Sequence, residues 1–150
     1  MLSLRKGIDN MIRSFNNISP KIHETVYVDE QATVIGNVEI GKDSAMWPHS
    51  VARGDINTIH IGQRTNVQDG SILHVTHAGE FCPSGFPLLI GNNVTIGHCA
   101  VIHACTVNDR SLIGMGSIIL DGATIASDCM IAAGALIGPG KKTESGFLYV

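Results

Sequence analysis

Residues 107–137, VNDRSLIGMGSIILDGATIASDCMIAAGALI, carry an aliphatic side chain at every sixth position, and small residues recur four positions after most of them. A period of six matches neither the 3.6-residue turn of a helix nor the two-residue alternation of a simple strand. It predicts short straight segments separated by tight corners, three segments to a coil. Each aliphatic side chain then points into a triangular prism, and each small side chain fills a corner.

The same repeat extends towards the N-terminus with two interruptions. Its aliphatic members over the whole chain are Ile22, Val28, Val34, Ile40, Met46, Ile61, Val67, Leu73, Ile90, Ile96, Ile102, Val107, Ile113, Ile119, Ile125, Ile131 and Ile137. This pattern is typical of a solenoid, which buries its core only by stacking coils. We therefore predict an all-β fold, a single-stranded left-handed parallel β-helix of about six coils with three faces each. We expect a single domain over residues 1–150, with the solenoid at about 18–140, a loop insertion at about 75–89 and a short tail at 141–150.

Composition narrows the expected partners and compartment. A net charge of −3 gives no electrostatic basis for binding nucleic acid or an anionic membrane. Residues 116–138 are apolar enough to suggest a membrane span, but they contain Asp121 and Asp128 and keep the repeat, so we predict coils there. Residues 1–15 contain no apolar signal core. We therefore expect a cytoplasmic protein with no membrane and no nucleic-acid partner. Cys99, Cys105 and Cys129 are expected to be packed, reduced thiols.

Two interruptions of the repeat fall at the third face of successive coils. Residues 53–60 carry about three extra residues, and residues 75–89 form a loop rich in glycine, proline and polar side chains. Insertions in a solenoid often mark the binding face. At the other end, Gly138-Pro139-Gly140 is expected to turn the chain out of the prism, because Lys141 stands where a small residue is due.

Two histidines occupy equivalent outward positions beside these insertions. His74 follows Leu73 and His103 follows Ile102, so both are predicted on the third face of successive coils. Stacked strands lie about 4.8 Å apart, and two imidazoles at that separation can share one metal ion. Arg53 takes the same column one coil earlier.

His98 is predicted to point away from this pair, because it follows Gly97 on the second face. It can join the pair only if a neighbouring chain presents its second face to this chain's third face. Such a head-to-tail contact closes into a ring of three. Gln68 and Asp69 lie one coil earlier on the second face and would reach the same site from the neighbour. Three neutral imidazoles leave an open position and suit Zn²⁺, with Fe²⁺ or Co²⁺ as alternatives.

The remaining histidines are assigned by position alone. His23, His49 and His60 fall outside the cluster and are expected to be solvated. His77 begins the long loop and could reach the site.

Three ordered strings resemble the gamma-class carbonic anhydrases and most closely their bacterial homologues. These strings are Arg53-Gly54-Asp55, Asn66-Val67-Gln68-Asp69-Gly70-Ser71-Ile72-Leu73-His74 and Ile96-Gly97-His98-Cys99-Ala100-Val101-Ile102-His103, and the resemblance covers roughly residues 18–150. It implies a homotrimer that hydrates carbon dioxide reversibly with a zinc-bound hydroxide. Zinc would be held by His74, His103 and a neighbour's His98.

The resemblance also assigns roles to the residues around the metal. It implies that Gln68 hydrogen-bonds the metal-bound water. It further implies that Arg53, Asp55 and Asp69 form an ion-pair network at the interface between subunits.

The sequence departs from the family where protons are handled. Established members place a glutamate just after the Arg-Gly-Asp string, and this chain has Ile56 there. They also carry a glutamate proton shuttle in the loop, whereas this loop offers Glu80 and, at the approximate place, His77. A histidine titrates near neutrality, so His77 is our candidate for proton transfer. Most members end in a C-terminal helix, which is expected to be largely missing here.

Two other enzymatic functions, acyl transfer and hydrolysis of a thioester or ester, remain open at this point, as does a non-enzymatic role. The same prism hosts hexapeptide-repeat acyltransferases, and a metal-activated water could also attack a thioester or a small ester. A third possibility is a catalytically weak or inactive trimer in which the metal only joins the subunits.

Overall fold

The computed structural model describes residues 11–80 and 82–150, and this part of the chain consists of short β-strands without a helix. The strands are β1 Ile12–Arg13, β2 Lys21–Ile22, β3 Tyr27–Val28, β4 Thr33–Ile40, β5 Ala45–Met46, β6 Val51–Ile61, β7 Asn66–Val67, β8 Ile72–His74, β9 Leu88–Ile90, β10 Thr95–Ile96, β11 Val101–His103, β12 Thr106–Val107, β13 Leu112–Ile113, β14 Ile118–Ile119, β15 Thr124–Ile125, β16 Met130–Ile131, β17 Leu136–Ile137 and β18 Leu148–Tyr149. Within the described ranges, no helix is long and apolar enough to cross a membrane.

Strand pairing stacks the aliphatic repeat into three parallel columns, one for each face of the prism. The first face stacks Ile22, Ile40, Ile61, Ile90, Val107 and Ile125. The second face stacks Val28, Met46, Val67, Ile96, Ile113 and Ile131. The third face stacks Val34, Ala52, Leu73, Ile102, Ile119 and Ile137. The predicted left-handed parallel β-helix is confirmed, and so is the grouping of the repeat into coils of three.

The columns form one continuous core. From Val34 to Ile131 every member of the repeat is almost fully buried, and only the first two members, Ile22 and Val28, are partly exposed. Buried serines in two corners bond to the next coil: the Ser71 hydroxyl donates to the Gly97 carbonyl at 2.7 Å, and the Ser44 hydroxyl donates to the Gly62 carbonyl at 2.8 Å. Ser50 and Ser117 instead donate to a carbonyl three residues earlier in their own corner. Each of these buried hydroxyls is hydrogen-bonded, so Ser44 and Ser71 link two coils without leaving an unpaired polar atom in the core.

The ladder extends beyond the predicted solenoid at both ends. β1 pairs with β4 before the first complete coil, and β18 pairs with β16 after the last one. The prediction that Gly138-Pro139-Gly140 turns the chain out of the prism is wrong. Gly140 has a φ of +67° and its N–H donates to the Asp121 carbonyl at 2.9 Å, so the segment makes another corner. Lys142 then bridges to Thr124, and partial coils flank the six predicted ones.

Both insertions lie where the third face turns into the first. β6 runs unbroken from the third face to the first, and its register against β4 shifts so that residues 55–58 bulge outwards. The longer insertion spans residues 75–87 and ends two residues earlier than predicted, because Leu88 and Leu89 already belong to β9. Its neck is closed by a pair of backbone hydrogen bonds between Thr76 and Phe86, both 3.0 Å long. The insertions therefore border the same strip of the third face.

Candidate metal site

His74 and His103 face each other at the end of two neighbouring strands. They are register partners in the parallel pair β8 and β11, because each follows the core residue of its coil. The ring centroids lie 5.1 Å apart with planes inclined by 57°, and His74 Nδ1 lies 3.1 Å from His103 Nε2. The side chains are 15% and 31% exposed, so the pair is sheltered and still reachable from outside the prism.

Each ring of this pair uses its other nitrogen to contact a carboxylate. His74 Nε2 donates to Asp55 Oδ1 at 3.0 Å, and His103 Nδ1 donates to Asp121 Oδ1 at 2.6 Å. The carboxylates are held in turn, because Arg53 donates to Asp55 and the Thr76 hydroxyl donates to Asp121 at 2.5 Å. These contacts fix the orientation of both imidazoles.

The surroundings also set the charge of these groups. Burial favours a raised pKa for Asp55, but hydrogen bonds from His74 and Arg53 outweigh it and the pKa falls below its usual value. The pKa of Asp121 is likewise lowered, because hydrogen bonds from Thr76 and His103 outweigh the effect of burial. Burial lowers the pKa of His74, and the nearby Arg53 guanidinium adds to that shift. Both carboxylates are therefore ionised near neutral pH, and His74 favours its neutral form.

His98 lies in the tight corner between the second and third faces. The Ala100 N–H returns to the Gly97 carbonyl at 3.3 Å, and Cys99 has a φ of +57°, so His98 projects outwards from the turn. Gly97 is required here, since a Cβ would come within 2.8 Å of backbone atoms of the next coil. Asp69 takes the same place in the corner one coil earlier, and its Oδ2 lies 3.0 Å from His98 Nδ1. A carboxylate therefore stands beside each of the three histidines.

The structure brings some predicted site residues together and separates others. Within one chain His98 does not join the other two histidines, and over residues 11–80 and 82–150 no three potential metal ligands cluster. Gln68 and His98 lie on the edge of a second-face groove of about 340 Å³. Its remaining lining is mostly apolar and includes Leu112, Met115 and Met130.

The residues expected to form an interfacial network have partners within the chain. Asp55 contacts Arg53 and His74, whereas Asp69 contacts His98 on a different side of the prism. Their grouping at a subunit interface stays a prediction.

The other predicted positions lie on the surface. His77 and Glu80 are exposed in the long loop, and Ile56 is exposed on the bulge next to Asp55. His23, His49 and His60 are exposed, as expected. Cys105 and Cys129 are buried, but Cys99 is exposed, because the turn directs its side chain outwards.

Asp121 and Thr76 complete the site, and sequence analysis missed both. Asp121 follows Leu120, which stands in the column of His103 one coil later, so it lies one position beyond the ladder. Extending the columns by one residue at the third face would have brought it to notice. The contact of Thr76 depends on how the loop folds back, and no periodic signal reports that.

Comparison with known proteins places the chain in a family. Residues 104–139 match the family profile described as "Bacterial transferase hexapeptide (six repeats)". Protein YrdA of Escherichia coli (strain K12) is 46% identical over 143 residues, which cover 95% of this chain and 78% of that protein. The Arabidopsis thaliana protein named "Gamma carbonic anhydrase 2, mitochondrial" is 47% identical over 85 residues, 57% of this chain and 30% of that protein. The chain belongs to the gamma-carbonic-anhydrase-like family of hexapeptide-repeat proteins.

A solved structure agrees with this membership at the level of the fold. The crystal structure of a hexapeptide transferase family protein from Anaplasma phagocytophilum is 36% identical, with a TM-score of 0.82. The match covers 92% of this chain and 77% of that one. The coil of this hexapeptide-repeat structure therefore matches nearly the whole chain.

Proposed function

We propose that the protein is a metal-dependent hydratase that converts carbon dioxide to bicarbonate at sites between the subunits of a homotrimer. One observation carries the proposal: two imidazole nitrogens face each other at 3.1 Å while their outer nitrogens are both occupied by carboxylates.

An ionised carboxylate only accepts hydrogen bonds, so the ring nitrogen facing it must carry the proton. His74 therefore holds its proton on Nε2 and His103 on Nδ1. In two neutral rings the facing nitrogens, His74 Nδ1 and His103 Nε2, are then both acceptors. Two acceptors at this distance repel each other unless a cation lies between them. The two facing nitrogens are thus placed to bind one cation together.

The donor set fits zinc. Nitrogen ligands of a tetrahedral Zn²⁺ lie about 2.0–2.1 Å from the metal, and two of them are then about 3.3 Å apart. The facing nitrogens of His74 and His103 are 3.1 Å apart. A carboxylate on the outer nitrogen is the usual support of a zinc-bound histidine. Zinc held by three imidazoles would lower the pKa of a bound water to about 7 and so would supply a nucleophile at neutral pH. Fe²⁺ and Co²⁺ accept the same ligand set.

A neighbouring chain would supply the third ligand. His98 is about half exposed and its Nδ1 is turned to Asp69. Its Nε2 has no hydrogen-bond partner among the described residues and could bind a metal. If the corner of one subunit is placed against the third face of the next, that nitrogen approaches His74 and His103. A head-to-tail contact of this kind closes into a trimer with three equivalent sites.

Exposed apolar side chains support this contact. The groove beside His98 is lined by Leu112, Met115 and Met130. The third face exposes Ile118, 39% accessible, and Leu136, 64% accessible. Apolar patches of this kind mark surfaces that bind other proteins. A second copy of the chain would cover both at once.

Two polar residues would act on the substrate. Gln68 lies next to His98 in the groove, and its amide would orient a substrate oxygen by hydrogen bonding. His77 follows Thr76 at the start of the loop, and its exposed imidazole would pass a proton to solvent. Arg53 and Asp55 would hold His74 in place.

Stopped-flow hydration of carbon dioxide tests the proposal. Purified protein loaded with zinc or iron should accelerate hydration above the buffer rate, and removal of metal or His103→Ala should abolish the acceleration. His60→Ala, on the exposed first face, is the matched control and should leave it unchanged. If metal-loaded protein is no faster than buffer but His74→Ala and His98→Ala each dissociate the trimer, the metal only joins subunits and the proposal is wrong.

Acyl transfer or thioester hydrolysis is the second candidate, favoured by the likeness to the Anaplasma hexapeptide transferase family protein. Calorimetric titration with coenzyme A separates the two. Stoichiometric metal without binding of coenzyme A argues against a transferase, whereas tight binding without metal argues for it.

A further inference from the structure

The neck of the long loop rests on the corner that contains Asp121. The Thr76 hydroxyl donates to Asp121 Oδ2 at 2.5 Å, and the Phe86 ring lies over Gly122, where a Cβ would come within 3.2 Å of it. Thr76 and Phe86 are themselves paired by two backbone hydrogen bonds. Thr76 therefore contacts Asp121 and Phe86 contacts Gly122, in a corner that lies two coils beyond the one from which the loop leaves the prism.

The corner is built to accept them. Gly122 has a φ of +68°, and its N–H donates to the Ala104 carbonyl at 2.8 Å, so the chain turns sharply just after Asp121. The turn directs the carboxylate between the loop and the histidine pair. One oxygen of Asp121 accepts from Thr76 and the other accepts from His103 Nδ1. The same side chain thus ties the loop to one imidazole.

We infer that Asp121 is a positioning residue for the metal site: it presents His103 Nε2 to the metal and is itself held by Thr76 at the neck of the loop. This inference rests on the proposed function and adds a residue to it. Asp121 does not contact the site where the substrate reacts. It acts through His103, much as Asp55 acts through His74.

The contact fixes both the ring orientation and the tautomer of His103. An imidazole without a partner on Nδ1 can rotate about its side-chain bonds and can carry its proton on either nitrogen. Supporting carboxylates of this kind change metal affinity by about 10–100-fold when they are removed. Thr76 is one step further away, so its removal should have a smaller effect.

Cobalt titration of the metal-free trimer, followed by visible absorption, tests the inference. We expect Asp121→Ala to weaken Co²⁺ binding by about 10–100-fold and to alter the visible spectrum. Asp121→Asn keeps an oxygen acceptor for His103 and should recover part of the affinity. Thr76→Val should weaken binding less than Asp121→Ala. Asp128→Ala removes a carboxylate at another corner of the prism, where its partner is Arg110, and should bind like the wild type.

The outcomes separate this inference from the proposed function. If Asp121→Ala binds Co²⁺ as tightly as the wild type, Asp121 does not position His103, but the proposed metal site is unaffected. Wild-type protein that binds no Co²⁺ overturns both.

A second measurement needs no variant. In zinc-loaded wild-type protein with ¹⁵N-labelled histidine, NMR should show His103 protonated on Nδ1. Protonation of His103 on Nε2 would overturn the inference even if Asp121→Ala failed to fold.

Discussion

The coils that carry the histidines, residues 61–103, and the coils that follow them, residues 107–137, have the same interior and different exteriors. Both stack aliphatic residues in the same three columns. On the outside of the third face, His74 and His103 occupy the position that Leu120 takes in the next coil. Only the earlier coils are interrupted by a long insertion. The prism therefore specifies the fold, while the outward residues and the insertions specify the site.

This difference has a physical basis. Inward residues are constrained by the neighbouring coils on both sides, so they repeat. Outward residues contact solvent, a loop or another chain, and they are free to differ from coil to coil. Substitutions on the two sides of one strand should accordingly have very different effects.

The largest effect is expected from an inward residue of the later coils. Ile125 is fully buried on the first face, and Ile125→Ala should lower the free energy of unfolding by about 2–5 kcal/mol, because the cavity cannot collapse between stacked coils. Its outward neighbour Thr124 is the matched control. Thr124→Ala should change the free energy of unfolding by less than about 0.5 kcal/mol. Urea unfolding measures both. Equal losses for the two variants would mean that inward and outward positions do not differ as we describe.

A smaller effect is expected from the glycine that precedes His98. In Gly97→Ala the new Cβ would lie 2.8 Å from the Ile113 carbonyl oxygen, so the corner must shift. We expect a loss of about 1–3 kcal/mol in the free energy of unfolding and weaker metal binding, because His98 moves with the corner. Gly138→Ala is the control, since among the described residues no heavy atom beyond its chain neighbours lies within 4 Å of its Cβ position. Thermal and urea unfolding measure the stability of both variants. Equal stability of Gly97→Ala and Gly138→Ala would contradict the close packing of the corner at Gly97.

A third effect concerns the hydroxyl that links two coils next to the site. Ser71→Ala removes the hydrogen bond to the Gly97 carbonyl and should cost about 0.5–1.5 kcal/mol of unfolding free energy. Ser14→Ala is the control, because within residues 11–80 and 82–150 that hydroxyl bonds only to Ser19, at the surface. A larger loss from Ser14→Ala than from Ser71→Ala would show that the corner hydroxyl does not join the coils.

The smallest effect belongs to a surface ion pair of the later coils. The Arg110 guanidinium holds the pKa of Asp128 below its usual value of 3.8. A carboxyl whose pKa is lowered by folding stabilises the protein above its unfolded pKa and loses that effect as the pH falls through the folded pKa. Asp128→Asn should therefore be slightly less stable than the wild type at pH 7, and the difference should vanish in acid. If the stability difference between the wild type and Asp128→Asn grew as the pH fell, this ion pair would not lower the pKa of Asp128 as described.

Sequence periodicity predicted the interior almost completely and the exterior only in part. Each core residue from Val34 to Ile131 lies inside, because burial between coils is what enforces the repeat. The continuation past Gly140 was missed, since a coil can still pair through its backbone after the side-chain pattern has ended. His74 and His103 were predicted together because both are defined by the core residue before them. Asp121 was missed because its contact depends on a turn and on a folded loop, and neither repeats.

The central claim is that one metal site draws its histidines from two chains, and complementation tests it most directly. His98→Ala keeps an intact third face, and His103→Ala keeps an intact corner, so neither variant alone should retain zinc after dialysis. Co-expressed in equal amounts, they should form mixed trimers in which about one site in four combines both intact halves and retains zinc. If the mixture holds no more zinc than either variant alone, or if His98→Ala alone holds a full complement, the site does not lie between subunits.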